Sequence, residues 1–385
     1  MRKKIASLLI IFVVAILFLG CENKKDGEVV APSNKTIKIK EIKVAGIYPL
    51  TGKAATFGQW AHNGVELAID EINAAGGVNG VKIKHLVDDT QTDNKLAVSA
   101  FNKAISIHKV DAAVGFVSSG EALACAPVAE QNNTVMITPV AGTEKLKEAG
   151  EYVFRTRESG YLQAYETAEY AIKQLKINQA SILYENAANA IAYRDAFKSK
   201  FEAMGGRIVT ELSYDENTGN WRTYLAKLKQ LDQAAVYAPG ISTVIGLILK
   251  QSQEIGFQTQ WLSSAGIEDP KLFEMAGDAA EGLIFATSFF SLDSSNQKTK
   301  HFARAYSARY GSQPSVYAAN AYDTIYILAQ CFNTGAIRGQ ALVDCLYGIK
   351  DFDGASGVIS FDNFGEVYKP TAIKVVKEKR FILAD

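Results

Sequence analysis

The chain has 385 residues, with 41 Lys and Arg against 41 Asp and Glu and a formal charge of zero. With that balance, no basic patch argues for nucleic acid and no acidic tail argues for a cationic partner. Beyond residue 36 the chain is long enough for two domains.

The start reads as an address. Arg2, Lys3 and Lys4 precede an apolar run from Ile5 to Leu19 that stops at Gly20-Cys21. A basic region, an apolar core and small residues at the end describe a secretory signal over 1–20. The run is shorter than the ~20 residues of a spanning helix. Phe18-Leu19-Gly20-Cys21 resembles the bacterial lipobox, which implies lipid on Cys21 as the mature N-terminus. Residues 21–36, rich in Lys, Asp, Gly, Ser and Asn, read as a tether. The expectation is an exported chain, lipid-anchored to a bacterial membrane and facing the periplasm or the cell exterior.

Strands and helices then alternate. A strand at Ile42–Ile47 leaves through Pro49–Gly52, and a helix runs to Ala74, with Gly76-Gly77 as its stop. A strand at Val81–Val87 leaves through Asp88-Asp89, and Asp93 caps the next helix. Val110–Val114 leads into Gly115-Phe116-Val117-Ser118-Ser119-Gly120, and a helical pattern opens at Glu121. A strand that ends in hydroxyls and free N–H groups before a helix marks the edge where open α/β sheets take ligands. Val135–Ile137 leaves through Thr138–Gly142, and Tyr152–Thr156 closes this series.

A second series follows. Helices are expected at Leu162–Leu175, Tyr193–Met204, Trp221–Leu231 and Val244–Ile255. Strands are expected at Ser181–Tyr184, Ile208–Leu212, Ala234–Tyr237, Gln260–Leu262 and Gly282–Ala286. Two long helices, about Asn296–Tyr310 and Val316–Cys331, precede a hairpin at 357–365 and a strand at Ala372–Val376. Short connections between alternating elements predict α/β architecture with parallel sheets and helices on both faces.

Several blocks in order resemble the branched-chain-amino-acid type of periplasmic binding protein, the Leu/Ile/Val family of ABC-importer lipoproteins. They are Ile47–Gly52, Gly64–Gly80, Val114-Gly115 with Ser118–Gly120, Met136–Pro139, Val153–Thr156, Gly277 with Ala280–Gly282, Ala321–Asp323, Phe352–Gly354 and Gly357–Asp362. The resemblance implies two doubly wound parallel-sheet lobes joined by three crossovers (the type I periplasmic-binding fold). Lobe one is then expected over 37–155 and 282–356, and lobe two over 156–281 and 357–385. It also implies a monomer that closes on a small amino acid or related carboxylate and delivers it to permease subunits. The alternative is a sensor module that reports ligand to a signalling partner.

Carried over by position, the resemblance implies a carboxylate contact at Ser119, with Ser118 and Gly120 beside it. It implies an aromatic contact at Phe57, a backbone carbonyl at Val140, and Ala141, Gly142 and Thr143 around a hydroxyl position. Asn189 and Ile241 stand where cleft tyrosines are expected, Ala265 where a glutamate can hold the ligand ammonium, and Tyr322 at a late aromatic position. The carboxylate half is thus partly kept and the ammonium half eroded. An unpaired buried ammonium costs several kcal/mol. Either Glu121 or Glu185 supplies the acid, or the ligand lacks an α-amine, the reading favoured here. Arg155 or Arg157 can add a cation, although an arginine after a hinge strand is more often structural.

No catalytic motif or cofactor loop is present, and His62, His85, His108 and His301 lack metal-ligand spacing, so binding without cofactor or metal is expected. Cys125 sits on an apolar helix stripe, and Cys331 and Cys345 can pair in an oxidising compartment.

Overall fold

The structure, a computed structural model, describes residues 41–215, 218–292 and 294–384. The signal segment, Cys21 and the tether lie outside the described residues. No helix among the described residues is long and apolar enough to cross a membrane.

The first lobe opens with strands β1 (Ile42–Tyr48), β2 (Ile83–Asp89), β3 (Ala112–Gly115), β4 (Met136–Thr138) and β5 (Val153–Arg155). They pair in the order β2-β1-β3-β4-β5, all parallel. Helices α1 (Ala55–Ala74), α2 (Asn94–Lys103) and α3 (Ser119–Gln131) connect them. The central strands are buried on both faces, which is why they read as apolar runs without alternation.

The second lobe has strands β6 (Gln179–Glu185), β7 (Arg207–Tyr214), β8 (Ala235–Tyr237), β9 (Gln260–Ser264) and β10 (Ile284–Ser288). Helices α4 (Gly160–Lys173), α5 (Ala188–Ala203), α6 (Arg222–Lys229), α7 (Ser242–Glu254) and α8 (Lys271–Ala276) cover both faces over two apolar cores. The chain then returns to the first lobe as α9 (Gln297–Tyr310), α10 (Val316–Asn333) and α11 (Gly339–Tyr347), which join the first core. Cys331 and Cys345 tie α10 to α11 in a disulfide. The short hairpin β11 (Phe352–Gly354) and β12 (Gly357–Ile359) precedes β13 (Thr371–Lys377) and β14 (Arg380–Leu383).

The second sheet has the order β14-β13-β10-β9-β8-β6-β7. It corrects three sequence expectations. It is not wholly parallel, because β13 runs antiparallel to β10 and β14 antiparallel to β13. The last hairpin turns on Glu378 and Lys379, both at positive φ (50° and 55°), a conformation their side chains do not advertise in sequence. Second, the chain leaves lobe two after β10 rather than at residue 282, since β10 pairs with β9 inside that sheet. Third, residues 357–367 stay with lobe one: Ile359, Phe361 and Val367 belong to the first core, and the Arg155 N–H donates to the Gly365 carbonyl at 2.9 Å. The second and third crossovers therefore lie side by side, the Phe289 N–H donating to the Pro370 carbonyl at 2.8 Å.

Helix α10 is buried nearly all round, and one face of it holds the crossovers. Thr324 Oγ1 lies 2.9 Å from Thr156 Oγ1 on the first crossover. Asp323 accepts the N–H groups of Ala355 (2.7 Å) and Ser356 (2.8 Å) and the Ser356 hydroxyl (2.5 Å). Lys369, at the third crossover, donates to Ser356 Oγ and to Asn320 Oδ1, each at 2.6 Å. Burial pulls the Lys369 ammonium down to about 8, against the upward pull of Asp323.

Candidate functional site

The strand exits of both lobes meet in a cavity of about 560 Å³, within the usual range for a small-molecule site. From lobe one it is lined by Lys53, Phe57, Ser118–Gly120, Val140–Gly142 and Tyr317. The first crossover brings Arg157, and lobe two brings Glu185–Ala190, Tyr193, Pro239–Ile241, Ser264 and Gly266.

The exit of β3 is built by a sharp backbone turn. Gly115 has φ 119° and Phe116 φ 49°. A Cβ on Gly115 would stand 2.2 Å from the Ile47 carbonyl oxygen. Gly115→Ala is therefore expected to cost on the order of 1–3 kcal/mol in a urea melt, the usual range for a forced backbone. Beyond the turn, helix α3 starts at Ser119 rather than Glu121, because Ser118 and Glu121 form a capping box: Ser118 Oγ accepts the Glu121 N–H (3.1 Å) and Glu121 Oε2 accepts the Ser118 N–H (3.0 Å). That accounts for the Glu121 N–H, and the Ala122 N–H bonds the Ser118 carbonyl. The Ser119 and Gly120 N–H groups have no intrahelical partner, and both residues line the cavity. Glu121 itself is fully buried, bonded also by the Thr90 hydroxyl, and is not among the lining residues; burial raises its pKa.

Arg157 is the buried cation of the site. Its Nε donates to the Glu158 carbonyl and its Nη1 to the Val140 carbonyl, each at 2.9 Å. Nη2 has no hydrogen-bond partner, with Glu158 Oε1 3.8 Å away. Burial works against the charge, but Tyr193, Tyr317 and Glu158 outweigh it, so Arg157 keeps its proton more firmly than usual. Space for it comes from Gly142: a Cβ there would lie 3.3 Å from both Arg157 Nη1 and Tyr193 Oη. Phe57 packs edge-on to Tyr317 at 5.3 Å between centroids, and Tyr193 adds a third ring to the lining. The carboxylate facing the cavity from lobe two is Glu185, paired across the lobes with Lys53 at 3.4 Å.

Of the residues singled out in the sequence, the fold brings Phe57, Ser118, Ser119, Gly120, Val140, Ala141, Gly142, Asn189 and Ile241 to the cavity. Three are corrected. Tyr322 donates to Glu71 and packs on Phe302 in the first core, away from the lining. Thr143 is buried, capping a 3₁₀ turn at Glu144–Glu148 while its carbonyl accepts from Arg155 at 3.0 Å. Ala265 turns inward at the start of a second 3₁₀ turn, leaving its neighbours Ser264 and Gly266 at the wall. Arg155 also points elsewhere, forming an ion pair with Glu366. Sequence reasoning missed Tyr193 and Tyr317 and ranked Arg157 as structural. Tyr193 lies one helical turn beyond Asn189, a signal available had α5 been started at Ala188.

A profile for periplasmic binding proteins matches residues 41–380. A Leu/Ile/Val-binding protein homologue of Brucella melitensis is 28% identical over 337 residues, covering 86% of this chain and 90% of the relative. The isoleucine complex of the substrate-binding protein LivJ of Streptococcus pneumoniae is 26% identical, with a TM-score of 0.83 over 89% of this chain and 98% of that one. The leucine-binding protein LivK of Thermotoga maritima is likewise 26% identical, with a TM-score of 0.84 and the same coverage.

Proposed function

The chain belongs to the periplasmic binding protein family, and from that premise we propose that it captures a small carboxylate between its lobes and hands it to an ABC permease while anchored by lipid at Cys21. The relatives carry names for branched-chain amino acid binding and transport, which supports a transport role. The carboxylate assignment rests on one observation: Arg157, whose buried Nη2 makes no hydrogen bond, and Ser119 and Gly120, whose N–H groups open α3, line the same cavity. A carboxylate there would satisfy donors that otherwise stay unpaired, which is where a charge-assisted hydrogen bond contributes most. Phe57, Tyr317 and Ile241 would take the apolar or aromatic body. Glu185 pairs with Lys53, so a ligand α-ammonium would have to compete with Lys53 for the carboxylate that faces the cavity from lobe two.

Binding would draw contacts from both lobes and so favour the closed form over the open one. A thermal-shift screen of the protein against aliphatic and aromatic acids, with and without an α-amine, tests the reading. A bound acid should raise the melting temperature progressively with concentration. A folded protein that responds to no carboxylate would refute the proposal.

A further inference from the structure

A second group of ligating side chains lies outside the cleft, on the outer side of lobe one. His62 and Glu66 are four residues apart on α1 and so share one face of that helix. His85, on the edge strand β2, projects toward them. One donor atom from each of the three lies within 4.8 Å of the others. Glu66 Oε1 is 2.6 Å from His85 Nδ1, and the two imidazole rings lie 5.8 Å apart, inclined by 27°. None of the three lines the ligand cavity.

From this we infer that His62, Glu66 and His85 form a binding site for a divalent ion of the zinc class. Two observations beyond the clustering point to a ligand. His62 Nδ1 is buried with no hydrogen-bond partner, a lone pair or N–H that nothing in the fold uses. His85 Nδ1–H donates to Glu66 Oε1, and a metal would displace that proton between the two, leaving the Nε2–H to donate to the Tyr48 hydroxyl 3.3 Å away. An outer oxygen on the second ring nitrogen is the partner that fixes ring and tautomer in metal sites. Gly46 makes this placement feasible, since a Cβ there would stand 2.3 Å from His85 Nε2.

Two imidazoles and one carboxylate are a recognised donor set for Zn²⁺, with the fourth position left to water. With bonds of about 2.0–2.1 Å, tetrahedral donors stand roughly 3.3 Å apart. A metal would have to draw the three donor atoms, now within 4.8 Å of one another, to that spacing and part Glu66 from His85. The next acid on the same helix face, Asp70, is held by Arg309 at 2.5 Å and is not counted as a ligand.

The test uses the whole chain, stripped with a chelator and titrated with Zn²⁺ alone by calorimetry, and with Co²⁺ alone by visible absorption. One equivalent should bind, and Co²⁺ should give the absorption of a low-coordinate nitrogen–oxygen site. His62→Ala and Glu66→Gln should each weaken Zn²⁺ at least about 100-fold, and Tyr48→Phe about 10-fold, the scale of losing an outer partner. Unchanged melting of these variants without metal separates a lost site from a lost fold. No binding of either ion, or binding that survives both ligand substitutions, overturns the inference. Because the site lies outside the cleft, that result leaves the carboxylate reading untouched.

Discussion

Arg157→Met is expected to weaken a carboxylate ligand by about 2–5 kcal/mol, or roughly 30-fold to several thousand-fold, as removal of one partner of a buried charge pair does. Two of the three donating nitrogens of Arg157 are held by the Val140 and Glu158 carbonyls, which leaves Nη2 without a hydrogen bond and with only the longer 3.8 Å ion pair to Glu158 Oε1. The guanidinium is thus preorganised, and little side-chain entropy is lost when a carboxylate arrives. Arg157→Lys keeps the charge but cannot hold both carbonyls and a ligand in one plane, so it should recover only part of the loss. Calorimetry on the two variants, with near-ultraviolet dichroism to confirm the fold, reads this directly. Equal affinity in Arg157→Met and the wild type would remove Arg157 from the site.

Asp323→Ala is expected to lower unfolding stability by about 3–5 kcal/mol, the cost of breaking a buried ionic network from one side. The substitution would strand the Ala355 and Ser356 N–H groups, and would leave the buried Lys369 ammonium bonded to Ser356 and Asn320 with Glu158 as its remaining nearby acid. The same residues hold the loop before β12 and the third crossover, so loss of stability should come with a change in how the lobes are held. Denaturant melts give the first quantity. Hydrogen exchange at residues 354–370, faster in the variant than the global loss explains, gives the second. A melt within about 0.5 kcal/mol of wild type, as for an ordinary surface change, would contradict the role given to α10.

The fold was largely legible because alternation of buried apolar runs with helical patterns leaves few topologies open. The lobe switches were harder to place. A crossover strand is as apolar as a core strand, and nothing local in Gly282–Ala286 says which sheet it joins. The cavity lining was legible wherever it sits at a strand exit, as at Ser118–Gly120 and Val140–Gly142, because the chain's order and the sheet's edge coincide there. It failed on α10 for a geometric reason. Tyr317 and Tyr322 are five residues apart, which at 3.6 residues per turn sets their side chains roughly 140° apart. Tyr317 therefore reaches the cavity, while Tyr322 reaches Glu71. Arg157 eluded sequence reasoning because its meaning lies in an unfilled hydrogen bond, visible only after Val140 and Glu158 have taken the others.

On the function proposed above, the cleft recognises a carboxylate and does not need an ammonium. Calorimetric titration of the protein with leucine and with 4-methylpentanoate, the same skeleton without its amine, isolates that difference. 4-Methylpentanoate is expected to bind within about tenfold of leucine or more tightly, a gap of at most about 1.4 kcal/mol. Tight binding of leucine with the deaminated acid more than about 100-fold weaker would contradict it, and would make Glu185 an ammonium partner released from Lys53.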